Sequence, residues 1–267
     1  MSSDRFAGLQ AVTFDFGNTL VPVGSSALQG VVEGMIQTTV SQIADIQAAA
    51  FRTAWDEERE RQFEEDVPEG REVDLDRRTI RVVARLRGMP VPARSARWDD
   101  AIAATRSTPA EVAIAVEAYS RAFVELMPVP ADVGPLLARL AGRFRLAILS
   151  NWPHAATIDA YVEAAGWRPA FQAIVVSQRV GTIKPDPRIF RVAEEALGAS
   201  GPAILHVGDD WAADIIGAKR AGWRAAYLRD QQHGSPLPAS RPDGSVVADL
   251  EIDSLAQLEA ALAGTSD

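Results

Sequence analysis

Five short, mostly apolar segments constrain the fold of this chain more than any other feature of its sequence, because a loop and a helical pattern follow each of them. The segments are residues 11–14 (AVTF), 145–150 (RLAILS), 173–177 (AIVVS), 203–208 (AILHVG) and 224–228 (RAAYL). Segments that are apolar on both faces are typical of strands covered on both sides. Strands that alternate with helices predict an α/β fold with a doubly wound parallel sheet. Residues 229–245 are interpreted as a surface loop before a short last strand and helix.

More than a hundred residues of different character separate the first two of these segments. They show helical spacing, for example in residues 31–36 (VVEGMI) and 46–66, without a convincing strand. A structureless loop of that length is improbable in a compact domain, so the stretch should contain a folded unit of its own. We therefore predict a helical cap domain at residues 23–127, inserted into an α/β core formed by residues 1–22 and 128–267.

The composition favours a small molecule over a polyanion as partner. The 267 residues include 27 Lys and Arg and 36 Asp and Glu, and binding to nucleic acids or anionic membranes needs an excess of cations. No cysteine occurs, which excludes disulfides, thiolate nucleophiles and zinc–cysteine sites. Neither a membrane-length apolar run nor the pattern of a signal peptide is present. We expect a cytoplasmic monomer or homodimer that acts on a small molecule, with no nucleic acid and no membrane as partner.

Polar residues follow four of the predicted strands, whose carboxyl ends should meet at one edge of the sheet. They are Asp15 after the first, Ser150 and Asn151 after the second, Lys184 beyond the third, and Asp209 and Asp210 after the fourth. Alone, each is ordinary, because an Asp at a strand end commonly caps a helix and Ser-Asn commonly forms a turn. Together they supply a nucleophile, a hydroxyl, a cation and metal-binding acids, which independent caps and turns are not expected to do.

Four segments resemble the four motifs of the haloacid dehalogenase (HAD) superfamily, in the branch whose helical cap is inserted after the first motif. These are residues 14–20 (FDFGNTL), 149–152 (LSNW), 181–190 (GTIKPDPRIF) and 206–223 (HVGDDWAADIIGAKRAGW). The resemblance extends to about residue 228 and implies a Rossmann-like core. Most members are magnesium-dependent phosphohydrolases that pass through an aspartyl-phosphate. The resemblance therefore implies that activity, with Mg²⁺ as cofactor.

The resemblance assigns the nucleophile and the metal site to residues whose chemistry suits them. Asp15 would be the nucleophile, because a carboxylate can attack phosphorus and split hydrolysis into two steps. Mg²⁺ would bind Asp15, the backbone carbonyl of Gly17, and Asp209, since oxygen ligands suit a hard cation. Asp210 is a further metal-site acid in this prediction. Lys184 would offset more of the negative charge that a carboxylate meets at a phosphate.

The remaining polar residues are predicted to bind the phosphoryl group or to support the site. The phosphoryl oxygens would be held by hydroxyls, an ammonium and backbone amides, namely those of Thr19, Ser150, Asn151 and Lys184. Among these, Lys184 and Thr19 are also candidates for a direct part in catalysis. Asp214 could orient Lys184 or a metal-bound water, and the alternative that it only caps and solvates the next helix stays open.

One part of the first motif is missing. Phosphohydrolases of the family usually read Asp-x-Asp there, and the second Asp is a general acid and base, whereas this chain has Gly17. Such assistance typically contributes about 10²–10⁴-fold. Its loss leaves a slow phosphatase, an enzyme for substrates with good leaving groups such as acyl phosphates, or an acid borrowed from the cap or the substrate. His154 is a candidate replacement, although an exposed histidine in a first helical turn is the favoured interpretation; His206, inside a strand, is predicted to be a packed core residue.

Two other functions stay open. A 2-haloacid-type dehalogenase would use Asp15 to attack carbon, and dehalogenases of the family also lack the second Asp. They usually carry an aromatic residue in place of Gly17, an Arg soon after the first motif and few metal-binding acids, whereas no Arg lies between Asp15 and Arg52 here. Arg52 could still fold over the site. A catalytically weak or inactive binding or regulatory protein is the second possibility, although burying charged groups without a catalytic need costs desolvation energy.

Overall fold

The computed structural model describes residues 5–229 and 234–262 and contains one six-stranded, fully parallel sheet. Its strands are β1 (Ala11–Phe14), β2 (Arg145–Ser150), β3 (Phe171–Val176), β4 (Ile204–Gly208), β5 (Arg224–Leu228) and β6 (Leu250–Ile252). The spatial order is β3-β2-β1-β4-β5-β6. The predicted α/β fold is therefore confirmed, including the short last strand. β3 begins earlier than predicted because Phe171 pairs with Leu146 of β2.

β1 lies in the middle of the sheet and positions the first motif. It pairs with residues 145–148 of β2 on one side and with residues 204–207 of β4 on the other. All four of its residues are buried. Because the chain continues to opposite sides of β1, a crevice is expected beyond its carboxyl end, and Asp15 is the first residue there.

The predicted insertion, residues 23–127, is described throughout and is built mainly from helices. They are α1 (Ser25–Gln42), α2 (Ala48–Glu65), α3 (Leu75–Leu86), α4 (Asp100–Ala104) and α5 (Pro109–Leu126). A capping box begins α5, because Thr108 accepts from the backbone of Glu111 and Glu111 reaches back to Thr108. The helical character of the insertion matches the expectation, and its division into a cap domain at residues 23–127 stays a prediction.

The remaining helices cover the two faces of the sheet. They are α6 (Val133–Ala141), α7 (Ala155–Ala164), α8 (Ser177–Val180), α9 (Pro187–Leu197), α10 (Gly217–Arg220) and α11 (Leu255–Leu262), with a π-helical turn at Trp211–Ile216 before α10. Val12 belongs to one apolar cluster with residues of α6, α7 and α11, whereas Ala11 belongs to another with residues of α9 and α10. Successive residues of β1 thus face opposite layers. None of the described helices has the length and apolar character needed to cross a membrane.

An aromatic cluster joins the inserted helices to the sheet beside the first motif. Phe16 contacts two rings edge to face: that of Trp152, just after β2, at a centroid distance of 5.5 Å, and that of Tyr161 on α7 at 5.4 Å. Phe123 of α5 packs on the same Trp152 at 5.3 Å. Edge-to-face pairs contribute about 0.5–1.5 kcal/mol beyond the area that they bury. The cluster therefore fixes α5 against the two loops that carry Asp15 and Asn151.

Candidate active site

Three charged groups meet beyond the carboxyl end of β1. The ammonium Nζ of Lys184 donates to Asp15 Oδ1 at 2.7 Å and to Asp214 Oδ1 at 2.6 Å. Its third hydrogen bond goes to the carbonyl of Leu149 at 2.8 Å, so all three donors of the ammonium are used. The side chains of Lys184 and Asp214 are each 1% exposed, and that of Asp15 is 13% exposed. The sequence-predicted residues Asp15, Lys184 and Asp214 are thus brought together.

Burial and pairing act differently on the three groups. Burial raises the pKa of Asp15 to about 6, with Lys184 opposing the rise and the charge of Asp214 adding to it. Burial also disfavours charge on Lys184, but the charges of Asp15 and Asp214 outweigh it, so the pKa of Lys184 is raised. Burial is likewise overcome at Asp214, whose pKa Lys184 and His206 hold well below its ordinary value. Asp15 is therefore the carboxylate that gains most from a further positive charge.

The backbone and His206 hold Asp214 in place. Its Oδ2 accepts from the N–H of Asp210 at 2.9 Å, and its Oδ1 lies 3.1 Å from Nε2 of His206. The other ring nitrogen of His206 is 2.8 Å from the hydroxyl of Thr13, its register neighbour on β1. Burial lowers the pKa of His206, so the ring is neutral and donates to Asp214 while it accepts from Thr13. His206 is a packed core residue, as predicted, but its contact with Asp214 was not foreseen.

Three carboxylates form a group with the chemistry of a cation site. One oxygen from each of Asp15, Asp209 and Asp214 lies within 4.8 Å of the others. Carboxylate oxygens suit Mg²⁺, and the raised pKa of Asp15 marks a charge that a cation would stabilise. Asp214 already accepts from Lys184 and Asp210, so Asp15 and Asp209 fit the ion better. The hydroxyl of Thr19 donates to Asp209 Oδ1 at 3.2 Å, which places Thr19 in the same site.

Asp210 has a different place from the one that the sequence predicts. Its Oδ1 accepts from the N–H of Ala213 at 2.8 Å and from the hydroxyl of Ser240 at 2.7 Å. Its Oδ2 accepts from the N–H of Ser240 at 2.9 Å. Both oxygens are therefore engaged in capping the π-helical turn and in binding a later loop. Asp210 is not one of the three grouped carboxylates, so the structure offers its predicted metal role no support.

The residues after β2 support the site in two ways. Ser150 is buried, and its hydroxyl is among the groups that oppose the rise in the pKa of Asp15. Asn151 binds the backbone of Lys184 twice, since its Nδ2 donates to the carbonyl at 3.1 Å and its Oδ1 accepts from the N–H at 2.7 Å. The next N–H, of Trp152, donates to the hydroxyl of Ser177 at 2.9 Å. Asn151 is thus a positioning residue for Lys184 in this structure.

Apolar side chains fill the space beside Gly17. A Cβ atom at this position would lie 2.7 Å from Cδ1 of Leu237 and 3.3 Å from Cζ3 of Trp152. The next residue, Asn18, has φ of 57°, a conformation that Asn tolerates better than most residues. Its amide donates to the hydroxyl of Ser235 at 3.0 Å. The place where a second acid would stand is therefore closed and apolar.

The loop that supplies Leu237 and Ser235 has a role beyond the one that its sequence predicts. Residues 229–245 were expected to be a surface loop, and residues 230–233 of it lie outside the described residues. Residues 236–240 line the cavity over Asp15 instead of only covering the surface. Polar and proline-rich sequence gave no signal of this packing, because the contacts join positions far apart in the chain.

A cavity of about 1050 Å³ opens over the grouped carboxylates. Asp15, Gly17, Lys184 and Asp209 line it together with residues of α1, α2 and α3. The volume is sufficient for a metabolite. His154 is not among the described lining residues; its Nδ1 lies 2.9 Å from the Thr157 hydroxyl, and burial lowers its pKa. The structure therefore does not place His154 where it could replace the missing acid.

A family model described as haloacid dehalogenase-like hydrolase matches residues 9–222. The chain belongs to this family. Among curated proteins, this HAD-like hydrolase is 33% identical over 147 residues to glyceraldehyde 3-phosphate phosphatase of Methanopyrus kandleri, a match covering 54% of the chain and 61% of the relative. It is 34% identical over 128 residues to (S)-2-haloacid dehalogenase of Pseudomonas sp. strain YL, covering 48% and 54%. The matches thus span less than two thirds of the length of either relative.

The fold of this HAD-like hydrolase is also seen in solved structures. The crystal structure of 2-haloacid dehalogenase from Pseudomonas syringae pv. Tomato DC3000 superposes with a TM-score of 0.65, 24% identity and coverage of 96% of this chain and 98% of that chain. At this identity the likeness establishes the shared fold. The family membership confirms the resemblance drawn from the four motifs. Both phosphatases and dehalogenases occur among its relatives.

Proposed function

We propose that this HAD-like hydrolase is a Mg²⁺-dependent phosphohydrolase that forms an aspartyl-phosphate on Asp15. The observation that carries the proposal is the position of Asp15, which is bonded to Lys184, grouped with Asp209 and Asp214, and at the end of a metabolite-sized cavity. A carboxylate that attacks carbon in a haloacid has no need of three clustered acids. A carboxylate that attacks a phosphate dianion needs cations around it. The substrate in this proposal is a small phosphorylated metabolite.

The nucleophilic attack and the binding of the phosphoryl group each have residues suited to them. Asp15 attacks phosphorus in line, the bond to the leaving oxygen breaks, and water then hydrolyses the acyl phosphate. Lys184 offsets charge on Asp15 and on the phosphoryl oxygens, and Asp214 holds Lys184 in position. Thr19 and Ser150 are the hydroxyls proposed to contact the phosphoryl group. Bound Mg²⁺, held by Asp15, Asp209 and the carbonyl of Gly17, would supply positive charge between nucleophile and phosphate.

The closed apolar space beside Gly17 narrows the substrate class. No carboxylic acid stands there to protonate the leaving oxygen, and Leu237 and Trp152 occupy the space. A leaving group that departs as a stable anion has the least need of a proton in the transition state. We therefore infer a preference for phosphates with good leaving groups, such as acyl or aryl phosphates.

The test measures phosphate release from acetyl phosphate and from an aryl phosphate, with Mg²⁺ and with a chelator. We expect release only with Mg²⁺ and none from the Asp15→Asn variant, which keeps the shape of the side chain. Asp186→Asn is a matched control, because Asp186 caps α9 and binds Arg188 and is not among the residues that line the cavity. Metal binding without turnover of any phosphorylated compound in a broad panel would instead support a binding or regulatory protein.

Carbon–halogen hydrolysis is the second candidate, and the (S)-2-haloacid dehalogenase relative and the absence of an acid at Gly17 both favour it. Dehalogenation could use an arginine in the cavity, and Arg52 lines it, but the guanidinium of Arg52 pairs with Glu33. Halide release from 2-chloropropionate without added metal would replace the phosphatase proposal by this one.

A further inference from the structure

Two arginines of the cavity wall differ from the other arginines on the same helices. Helices α2 and α3 carry seven arginines, and five of them have a carboxylate oxygen within 4.0 Å: Arg52, Arg61, Arg77, Arg81 and Arg85. Arg59 and Arg78 have no such partner among the described residues. Both of these line the cavity over Asp15.

Arg78 is the more deeply placed of the two. The residue is 4% exposed, and its guanidinium lies over the ring of Trp55 at 4.9 Å from the centroid. Nε donates to Gln62 at 2.8 Å and Nη2 to the carbonyl of Val73 at 3.3 Å, which leaves Nη1 without a hydrogen bond to any described residue. Burial lowers the pKa of Arg78 to about 10. A buried guanidinium of this kind gains strongly from an anionic ligand.

The two carboxylates whose charge acts on the pKa of Arg78, Glu72 and Asp74, are engaged elsewhere. Glu72 accepts from the N–H of Val73 at 2.9 Å and from the hydroxyl of Ser177. Asp74 caps α3 by accepting from the N–H of Arg77 at 2.8 Å, and its other oxygen accepts from Gln178 at 3.0 Å. Both influence the pKa of Arg78 from beyond ion-pair distance. The charge of Arg78 is therefore not neutralised by the protein at contact distance.

Arg59 presents a second cation to the same cavity. Its guanidinium lies 4.9 Å from the ring centroid of Phe63 and donates to the carbonyl of Pro236 at 3.4 Å. Trp55 and Phe63 also line the cavity. Stacking on an aromatic ring holds an arginine side chain while its N–H donors remain able to bind a planar or tetrahedral anion.

We propose that Arg59 and Arg78 form a subsite for a second anionic group of the substrate, a carboxylate or a second phosphate, in the wall of the cavity that Asp15 also lines. The proposal rests on the proposed function, which places the reacting phosphoryl group at Asp15. It narrows the substrate class to small phosphate esters or anhydrides that carry another negative charge at their far end.

The first test compares ligands on the unmodified protein and involves no turnover. Calorimetry with Mg²⁺ measures the binding of ω-phosphonoalkanoates with two to five methylene groups, of the matching ω-phosphonoalkanamides, and of α,ω-bisphosphonates. We expect one chain length at which the carboxylate or the bisphosphonate binds at least about tenfold more tightly than the neutral amide. A preference confined to the carboxylates or to the bisphosphonates identifies which anion the subsite accepts.

The second test compares variants. Arg78→Gln and Arg59→Gln should each reduce the preference for the charged ligand, Arg78→Lys should retain part of it, and the amide should bind all variants equally. Arg77→Gln is the matched control, since Arg77 lies on the same helix and pairs with Asp100. Thermal unfolding of each variant accompanies the binding measurement, because a purely structural arginine would change stability without changing the ratio of the two affinities.

The outcomes separate the two proposals. Equal binding of charged and neutral ligands at every chain length overturns the subsite and leaves the phosphohydrolase proposal standing. Preserved preference in both glutamine variants also overturns it. Failure of every phosphonate to bind contradicts the phosphoryl site at Asp15, and the subsite falls with it.

Discussion

Nε2 of His206 on β4 lies 3.1 Å from Oδ1 of Asp214, and the other oxygen of that carboxylate accepts from the backbone N–H of Asp210. Asp214 in turn binds Lys184, so a core histidine acts on Asp15 through two intermediate side chains. We expect His206→Leu to lower the free energy of unfolding by about 1.5–3 kcal/mol, since a hydrogen bond to a charged group is lost. It should also lower kcat for acetyl phosphate while KM changes little. Urea unfolding and steady-state kinetics measure the two effects.

The control for this prediction is His206→Gln, which can retain an N–H donor near Asp214. It should recover part of the lost kcat. Equal kcat for His206→Leu and the unmodified protein would show that Asp214 keeps its position without the ring.

A second prediction concerns the space beside Gly17. Because Leu237 stands 2.7 Å from where a Cβ atom would lie, Gly17→Asp alone should bring little gain in activity. The double variant Gly17→Asp with Leu237→Ala should raise the turnover of alkyl phosphates by about tenfold or more, and that of aryl phosphates less, because poor leaving groups need the proton most. A double-mutant cycle on kcat, with Leu237→Ala alone as control, measures the coupling. Additive single effects would contradict it.

Gly208 is predicted to be irreplaceable by even the smallest side chain. A Cβ atom there would lie 2.1 Å from Oδ2 of Asp214, so Gly208→Ala must displace the carboxylate that holds Lys184. We expect a loss of about 1–3 kcal/mol in unfolding free energy and at least a tenfold loss of kcat. Gly142→Ala, where a Cβ atom meets only an ordinary contact at 3.4 Å, should change neither quantity. Full activity in Gly208→Ala would show that Asp214 is not needed where it stands.

The ion pair of Glu111 with Arg87 should make the stability of the inserted helices depend on pH. Hydrogen bonds from Arg87 and from the backbone of Thr108 lower the pKa of Glu111 from 4.5 to about 2. A lowered carboxyl pKa means that the ionised form stabilises the fold above pH 4.5 and that this stabilisation disappears as the pH falls towards 2. Glu111→Gln keeps the capping box and removes the charge. It should cost about 1 kcal/mol at pH 7, as a partly exposed pair does.

The check is urea unfolding of both proteins between pH 7 and pH 2. The difference between them should narrow below pH 4.5 and should shrink in 1 M salt, because salt screens exposed pairs. A difference that stays constant with pH would assign the effect to the shape of the side chain and not to its charge.

The predictable part of the structure is the part encoded locally. Segments that are apolar on both faces predict the parallel strands. Because the carboxyl ends of such strands share one edge of the sheet, the sequence also predicts that Asp15, Lys184 and Asp209 lie close together. The roles of Asp210 and Asp214 could not be separated in this way. They lie four residues apart on one helical turn, and only the turn's geometry directs one towards Lys184 and the other towards Ser240.

The features that the sequence does not predict depend on contacts between segments that are distant in the chain. The pairing of Thr13 with His206 depends on strand register, and the approach of Leu237 to Gly17 depends on the path of a loop without periodicity. Arg78 stands beside Arg77 in the sequence, and nothing local distinguishes a buried cation without a carboxylate partner from one that pairs on the surface. Such differences arise from tertiary packing and become visible only when the helices are in place.

The leucine that closes the space beside Gly17 also bears on how this enzyme could have diverged. Positions 17 and 237 are far apart in the sequence but adjacent in the fold. An aspartate at position 17 would contact the side chain of Leu237, and a smaller residue at position 237 would leave space beside the glycine. A change from the glycine form of the first motif to the aspartate form therefore involves position 237 as well as position 17.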